Sequence, residues 1–336
     1  MMETKREPKA DEGLLTPGAA VGERRLFADI APWGPVVAFA LMFLAFGLLS
    51  GETFLTRANL LTVVNDQAVL AIVAFGLTVV LLTGEFDLSI GAMMSLAGAL
   101  SAGFVAITGL PVGLAIVIVL AIGALIGLVN GVLVTLFRVP ALVATIAMAS
   151  VLDGITLWYT DGEVIFQGIP RGFIQIGRAT VLGVQTPTVF LIAFAVILFM
   201  VLKYTATGRS IHAIGGNREA ARMSGIRVSR YVILAFVVSG LCAAFAGLLQ
   251  AARNGSAVAF MGNPFLLPAF AAAFLGSVTL RRGQFHILGT VIGVYFVAIG
   301  TNGLFILGFP FWVKFVFSGA ILILATAGSR FLKRRG

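Results

Sequence analysis

Apolar residues in this chain come in runs of about twenty, and short polar or charged breaks separate one run from the next. A helix of twenty residues rises about 30 Å, the thickness of a bilayer's hydrocarbon core. The runs do not alternate with a period of two, which excludes the strands of a membrane barrel. Ten helical spans are predicted, near 32–50, 64–83, 88–108, 112–137, 140–160, 187–204, 231–251, 264–280, 285–303 and 310–328. The fold class expected is an all-α polytopic membrane protein, with a ten-helix domain over 31–330. Residues 1–30 are polar, mixed in charge and rich in Pro, Gly, Glu and Ala, as in a disordered cytoplasmic tail. Their charged lead is too long for a signal peptide, and no small-residue cleavage site follows the first apolar run. Residues 331–336 form a short basic tail, expected to be cytoplasmic.

Composition agrees with the pattern. The 336 residues are 59% hydrophobic and only 11% charged, whereas a soluble domain is roughly a quarter charged. The net charge of +9 raises the question of nucleic acid, but the placement of the cations answers it. With the N-terminus inside, 18 Lys and Arg residues fall on the cytoplasmic side and 4 outside, with Lys314 within the last span. Such a bias sets orientation, so both termini are expected to be cytoplasmic and nucleic-acid binding is not needed. Cys242 is the lone cysteine, and His212 and His286 are far apart in the chain. These suggest no disulfide framework, no metal site and no cofactor. None of the five lysines follows Gly or precedes Ser or Thr, so a phosphate-binding loop of the Gly-Lys-Ser/Thr kind is lacking. No catalytic residues are expected. Closely spaced glycines such as Gly123, Gly127 and Gly131 read as tight helix packing.

One segment breaks the apolar texture. In GGNREAARMSGIRVSR, residues 215–230, five charged side chains fall within thirteen residues. By the topology above, this segment lies in the longest internal cytoplasmic loop, 206–230. Asn217 is a suitable N-cap and Gly225 a suitable stop, which predicts a helix over 218–224 with Glu219 near its positive end. Two turns are too short to be stable alone in water, and Ala220, Ala221 and Met223 are too small to anchor it in lipid. A capped helix with a small, smooth surface is expected to dock into a partner.

Glu219-Ala220-Ala221 followed by Gly225 resembles the coupling loop of ABC-transporter permeases. The surrounding AIGGNREAARMSGIRVSR is similar to its form in the bacterial monosaccharide permeases, the ribose, xylose and galactose importer group. The stretch TGEFDLSIGAMMSLAGAL, residues 83–100, resembles that family's Thr-Gly-Gly-x-Asp-Leu-Ser-x-Gly signature, with Glu85 where the second glycine usually stands. AFLGSVTLRRGQFHILGTVIG resembles the family as well, and the likeness runs from about residue 35 to 330. It implies a fold of the vitamin B12-importer type (a type II ABC importer) and an inner-membrane permease subunit moving a small neutral solute such as a monosaccharide. It also implies a separate ABC ATPase, a periplasmic substrate-binding protein and a paired permease, identical or similar. Gly216, Asn217, Arg218, Glu219, Ala220, Ala221, Arg222 and Gly225 would then couple to the ATPase.

Polar side chains within spans are costly and tend to be functional. Asn65, Asp66, Asp87, Ser89, Asn130, Asp153 and Asn302 are the candidates for the substrate path. Asp87 reads equally as a cap on the amides that follow it, and Asn130 as an interhelical hydrogen bond. Asn65, Asp66 and Gln67 at the outer end of the second span, Asp153 in the fifth and Asn302 in the ninth would form a hydroxyl-friendly vestibule if they converge. The external segment 161–187, with Asp161, Glu163, Arg171 and Arg178, offers a landing surface for a binding protein. A proton- or sodium-coupled transporter using Glu85, Asp87 or Asp153 is the competing class, and a nucleoside or branched-chain amino acid permease, or a membrane scaffold, are further alternatives.

Overall fold

A computed structural model describes residues 33–181, 183–280 and 283–333, with the side chains of 328–333 left out. The tail predicted over 1–30, the pair Arg281 and Arg282 expected on the cytoplasmic side, and the last three residues of the predicted basic tail lie outside the described residues.

The chain is mostly helical. Seven helical segments are long and apolar enough to cross a membrane: 34–54, 57–82, 112–135, 141–160, 186–204, 228–254 and 287–306. Three shorter apolar helices occupy 90–106, 263–278 and 313–327. In chain order the elements are α1 (Gly34–Phe54), α2 (Arg57–Asp66), α3 (Ala68–Leu82), α4 (Ile90–Ala106), α5 (Val112–Thr135), α6 (Ala141–Thr160) and α7 (Arg171–Arg178). A two-residue hairpin, β1 (Thr180–Val181) and β2 (Val184–Gln185), leads into α8 (Thr186–Tyr204). Next come α9 (Ala206–Gly216), α10 (Arg218–Met223), α11 (Val228–Asn254), α12 (Asn263–Val278), α13 (Ile287–Ile306) and α14 (Val313–Lys333).

Two helices form the centre. Every residue of α3 is buried, as befits a helix that is apolar all round. Beside it, α11 packs against α3, α4 and α5. Small residues allow this closeness. A Cβ added to Gly76 on α3 would come within 2.7 Å of the Cys242 Cβ on α11. On α5, a Cβ on Gly123 would meet Ala244, one on Gly127 would overlap the Phe236 carbonyl oxygen, and one on Gly131 would lie 2.7 Å from the Ile233 Cα. The glycine stripe read as tight packing is therefore the α5–α11 seam. At the periphery, α1 rests on α13 through Phe43, Phe46 and Phe54, against Ala298 and Ile299.

Two local differences from the sequence reading have physical causes. The second span starts seven residues earlier than predicted, at Arg57, because the Thr56 hydroxyl caps α2 by accepting from the Asn59 amide. Asn65 and Asp66 consequently stand inside a helical segment and do not open it. The segment 161–187, predicted as an external loop, holds α7 and the hairpin, and its Ile165 bridges to Ala257. The apolar residues of α7 pack inward, with Phe173 wholly buried against Leu248 and Ala252 of α11.

Candidate functional site

The short helices α4 and α12 begin side by side. A Cβ on Gly91 would lie 3.3 Å from the Asn263 Cα, and the Gly262 amide donates to the Ser95 hydroxyl at 2.9 Å. Farther along α4, Gly98 packs on Met261, which precedes α12. The two helices thus leave their common start in opposite directions. At 17 and 16 residues each spans about 25 Å, less than a full hydrocarbon core, and each follows a non-helical segment. Non-helical backbone inside a helix bundle must find partners within the protein.

Asp87 supplies one of those partners and binds two hydroxyls besides. Its Oδ1 accepts from the Ser89 amide at 3.0 Å and the Ser89 hydroxyl at 2.6 Å, and its Oδ2 accepts from the Ser239 hydroxyl at 2.7 Å. The neighbouring Leu88 amide donates to Thr145 Oγ1 on α6 at 3.1 Å. Asn130 on α5 donates to Ser89 Oγ at 2.9 Å, and its own Oδ1 has no partner among the described residues. Asp87, Ser89 and Asn130 are all buried. Burying a carboxylate is costly, and three donors offset that cost. The arrangement ties the break between α3 and α4 to α5, α6 and α11.

A half-open cavity of about 310 Å³ lies at the common start of α4 and α12, walled by α6 and lined by Gly91, Ser150, Asp153, Asn263 and Leu266 among others. Asp153 Oδ1 is buried without a hydrogen-bond partner among the described residues. A carboxylate with spare acceptors, an amide and a hydroxyl in an otherwise apolar hollow suit a ligand rich in hydroxyl groups.

The remaining candidates do not join this cavity. Asn65 accepts from Thr188 of α8 at 2.7 Å. Asp66 forms an ion pair with Arg253 at the end of α11. Asn302 and Asn59 exchange hydrogen bonds of 3.1 and 3.0 Å, joining α13 to α2. Each of these residues is engaged in tying two helices together, and none is among the lining residues of the cavity above. Sequence reasoning missed Asn59, Ser95, Thr145, Ser239 and Asn263. Only Asn59 and Asn263 carry a local signal, as amides near helix starts, and the hydroxyls of the others look like ordinary span residues.

The capped helix predicted over 218–224 is present as α10. Asn217 Oδ1 accepts from the Glu219 and Ala220 amides, each at 3.0 Å, and Gly225 follows in the left-handed region at φ +79°. Before it runs α9, a helix within the segment expected as a loop. A Cβ on Gly215 would overlap the Leu82 carbonyl oxygen, so α9 sits directly on the end of α3. Gly216 faces open space. The alanine pair is split: Ala221 is 4% exposed and faces inward, whereas Ala220 is exposed. Met223 is 82% exposed beside exposed Glu219 and Arg222, an apolar tip on a charged helix. Arg218 pairs with Glu85 at 2.5 Å.

At the C-terminal end of α11, Arg178 donates through Nε and Nη2 to the Arg253 and Asn254 carbonyls at 2.6 and 2.7 Å. Asp161, Glu163 and Arg171 are left exposed. The histidines act as backbone partners: His286 caps α13 by accepting from the Gly289 amide, and His212 lies 2.8 Å from the Gly208 carbonyl.

A bundle of apolar helices with interrupted spans, a hydroxyl-suited hollow and a projecting charged helix describes a membrane transport subunit. The description "Branched-chain amino acid transport system / permease component" matches residues 59–326, and the chain belongs to that family. It is 37% identical to the ribose import permease protein RbsC of Bacillus subtilis (strain 168) over 293 residues, covering 87% of this chain and 90% of that protein. It is 30% identical to the D-allose transport system permease protein AlsC of Escherichia coli (strain K12), covering 90% of this chain and 92% of that protein. It is also 30% identical to the galactose/methyl galactoside import permease protein MglC of the same strain, over 90% and 96% respectively. No solved structure matches the chain.

Proposed function

We propose that this chain is the permease subunit of an ATP-driven ABC importer for a monosaccharide. It works as a pair in the inner membrane, with a separate ATPase beneath it and a binding protein outside. The observation that carries the reading is α10. A six-residue helix capped at both ends, with its alanine and methionine turned outward, has a surface shaped to be held by another protein. The printed names of the similar permeases, for ribose, allose and galactose, support a sugar as the cargo. Ten crossings follow if the seven long helical segments and the three short apolar ones all cross, with both termini in the cytoplasm. ATP hydrolysis belongs to the partner.

The sugar passes the hollow at Asp153, Ser150 and Asn263, while Asp87, Ser89 and Asn130 brace the wall behind it. A carboxylate on a lipid-facing helix costs about 2.5–3.5 kcal/mol, so a second copy, and not hydrocarbon, closes the open side of this hollow. Exposed Asp161, Glu163 and Arg171 receive the binding protein. In the competing ion-coupled reading two of the three candidate carboxylates are already engaged, Glu85 by Arg218 and Asp87 by Ser89 and Ser239.

The test is uptake of radiolabelled D-ribose, D-allose and D-galactose by proteoliposomes holding the permease, its ATPase and its binding protein. Uptake of one sugar is expected to require ATP inside the complex's cytoplasmic compartment and to be lost in Ala220→Trp, which fills the docking face while leaving the inward Ala221 intact. Accumulation driven by a proton gradient without ATP, or undiminished uptake in Ala220→Trp, refutes the assignment.

A further inference from the structure

The Glu85–Arg218 contact joins residues 133 positions apart in the chain, and it joins two parts with different duties. Arg218 is the first residue of α10, directly after its cap Asn217. Glu85 stands in the non-helical break before α4, two residues from Asp87. The Glu85 side chain is 13% exposed and that of Arg218 45%, so water screens this pair less than the other ion pair on α10. That other pair, Arg222 with Glu219, is 3.7 Å apart with both side chains largely exposed, a geometry that contributes little.

We propose that the Glu85–Arg218 pair is a strut carrying movement of α10 into the start of α4, which makes Glu85 a positioning residue for ATP-driven transport. This rests on the reading of α10 as the ATPase-docking helix. The route beyond Glu85 is continuous. Asp87 holds Ser89 and Ser239, Ser89 holds Asn130, and the Leu88 amide is fixed to Thr145. A displacement of Arg218 is therefore delivered to a segment anchored on α5, α6 and α11, and Leu88 and Gly91 of that segment line the hollow. Beyond its covalent continuity with α9 and α11, α10 is held by buried Ala221, and the Gly215 contact with Leu82 seats the neighbouring α9. The Arg218–Glu85 bond adds a charge-assisted link, stronger than a neutral hydrogen bond, aimed at the segment before α4.

The experiment uses the assembled complex in proteoliposomes. The readout is the ratio of ATP hydrolysis with the binding protein and D-ribose as probe to hydrolysis with neither, together with the number of ATP molecules spent per sugar moved. Glu85→Gln and Arg218→Gln are each expected to lower the stimulation ratio by roughly three- to ten-fold, the loss of one partly screened ion pair, and to raise the ATP spent per sugar. The conservative Arg218→Lys keeps most of the coupling. The charge-reversed double variant Glu85→Arg with Arg218→Glu recovers to within about two-fold of the unaltered complex. Full coupling in both single variants overturns the strut. So does a reversed double variant no better than the worse single one, or single variants that fail to assemble and are not restored by the reversal. If ribose gives no stimulation of the unaltered complex, the same variants are compared by unstimulated ATP hydrolysis on addition of the permease to its ATPase. Failure of the importer reading itself looks different, since the unaltered chain would then neither bind nor activate an ATPase.

Discussion

Replacing Asp87 separates a structural tie from a proton-carrying group. In Asp87→Ala three donors lose their acceptor, but two can turn elsewhere. The Ser89 hydroxyl can donate to Asn130 Oδ1 once that amide turns over, exchanging the bond it now accepts from Nδ2, and the Ser239 hydroxyl can bond the carbonyl four residues before it. The Ser89 amide cannot turn, and a stranded buried N–H costs about 1–3 kcal/mol. With a small void added, the expected loss is about 2 kcal/mol. At about 2.1 cal/mol/K per residue, a cooperative unit of some 300 residues has an unfolding entropy near 0.6 kcal/mol/K. The melting temperature should fall by about 3 °C. In Asp87→Asn the amide oxygen keeps both Ser89 bonds and the NH₂ group donates to Ser239 Oγ, so the fall should stay near 1 °C. Thermal unfolding of the detergent-purified protein, followed by intrinsic fluorescence, measures both. An Asn variant as damaged as the Ala variant, or an Ala variant indistinguishable from the unaltered protein, refutes the reasoning. Uptake adds a second discriminator: Asp87→Asn should transport at near-normal rate, whereas a proton-coupling carboxylate would lose transport entirely with little change in stability.

Two further outcomes test the packing. Gly127→Leu should prevent α5 and α11 from closing and abolish the monodisperse peak in size-exclusion chromatography, because even a Cβ there overlaps the Phe236 carbonyl; Gly113→Ala, with open space around it, should elute and melt like the unaltered protein. Asn59→Leu and Asn302→Leu, analysed as a double-mutant cycle by thermal unfolding, should show a coupling of about 0.6–1.7 kcal/mol, the range for interhelical hydrogen bonds in membranes, and a cycle summing to zero would show that the reciprocal pair contributes nothing.

Features governed by near neighbours were legible in the sequence. The apolar runs marked where helices lie, since a run of twenty can bury its backbone polar groups only by forming a helix. Asn217 and Gly225 marked the ends of α10, because a cap bonds amides two and three residues away. The glycine spacing on α5 announced a close helix neighbour without saying which. Tertiary structure alone decided the rest. It set Glu85 against Arg218 and Asp87 against Ser239, across 133 and 152 residues. It turned Ala220 outward and Ala221 inward, although the two are chemically identical. It started α4 and α12 at one place and left Asp153 beside their hollow, while giving Asn65, Asp66 and Asn302 to helix ties. The reason is physical: an apolar run specifies that a helix forms, but every apolar neighbour satisfies it about equally, so the choice among neighbours is made by the shape and hydrogen bonding of the assembled bundle.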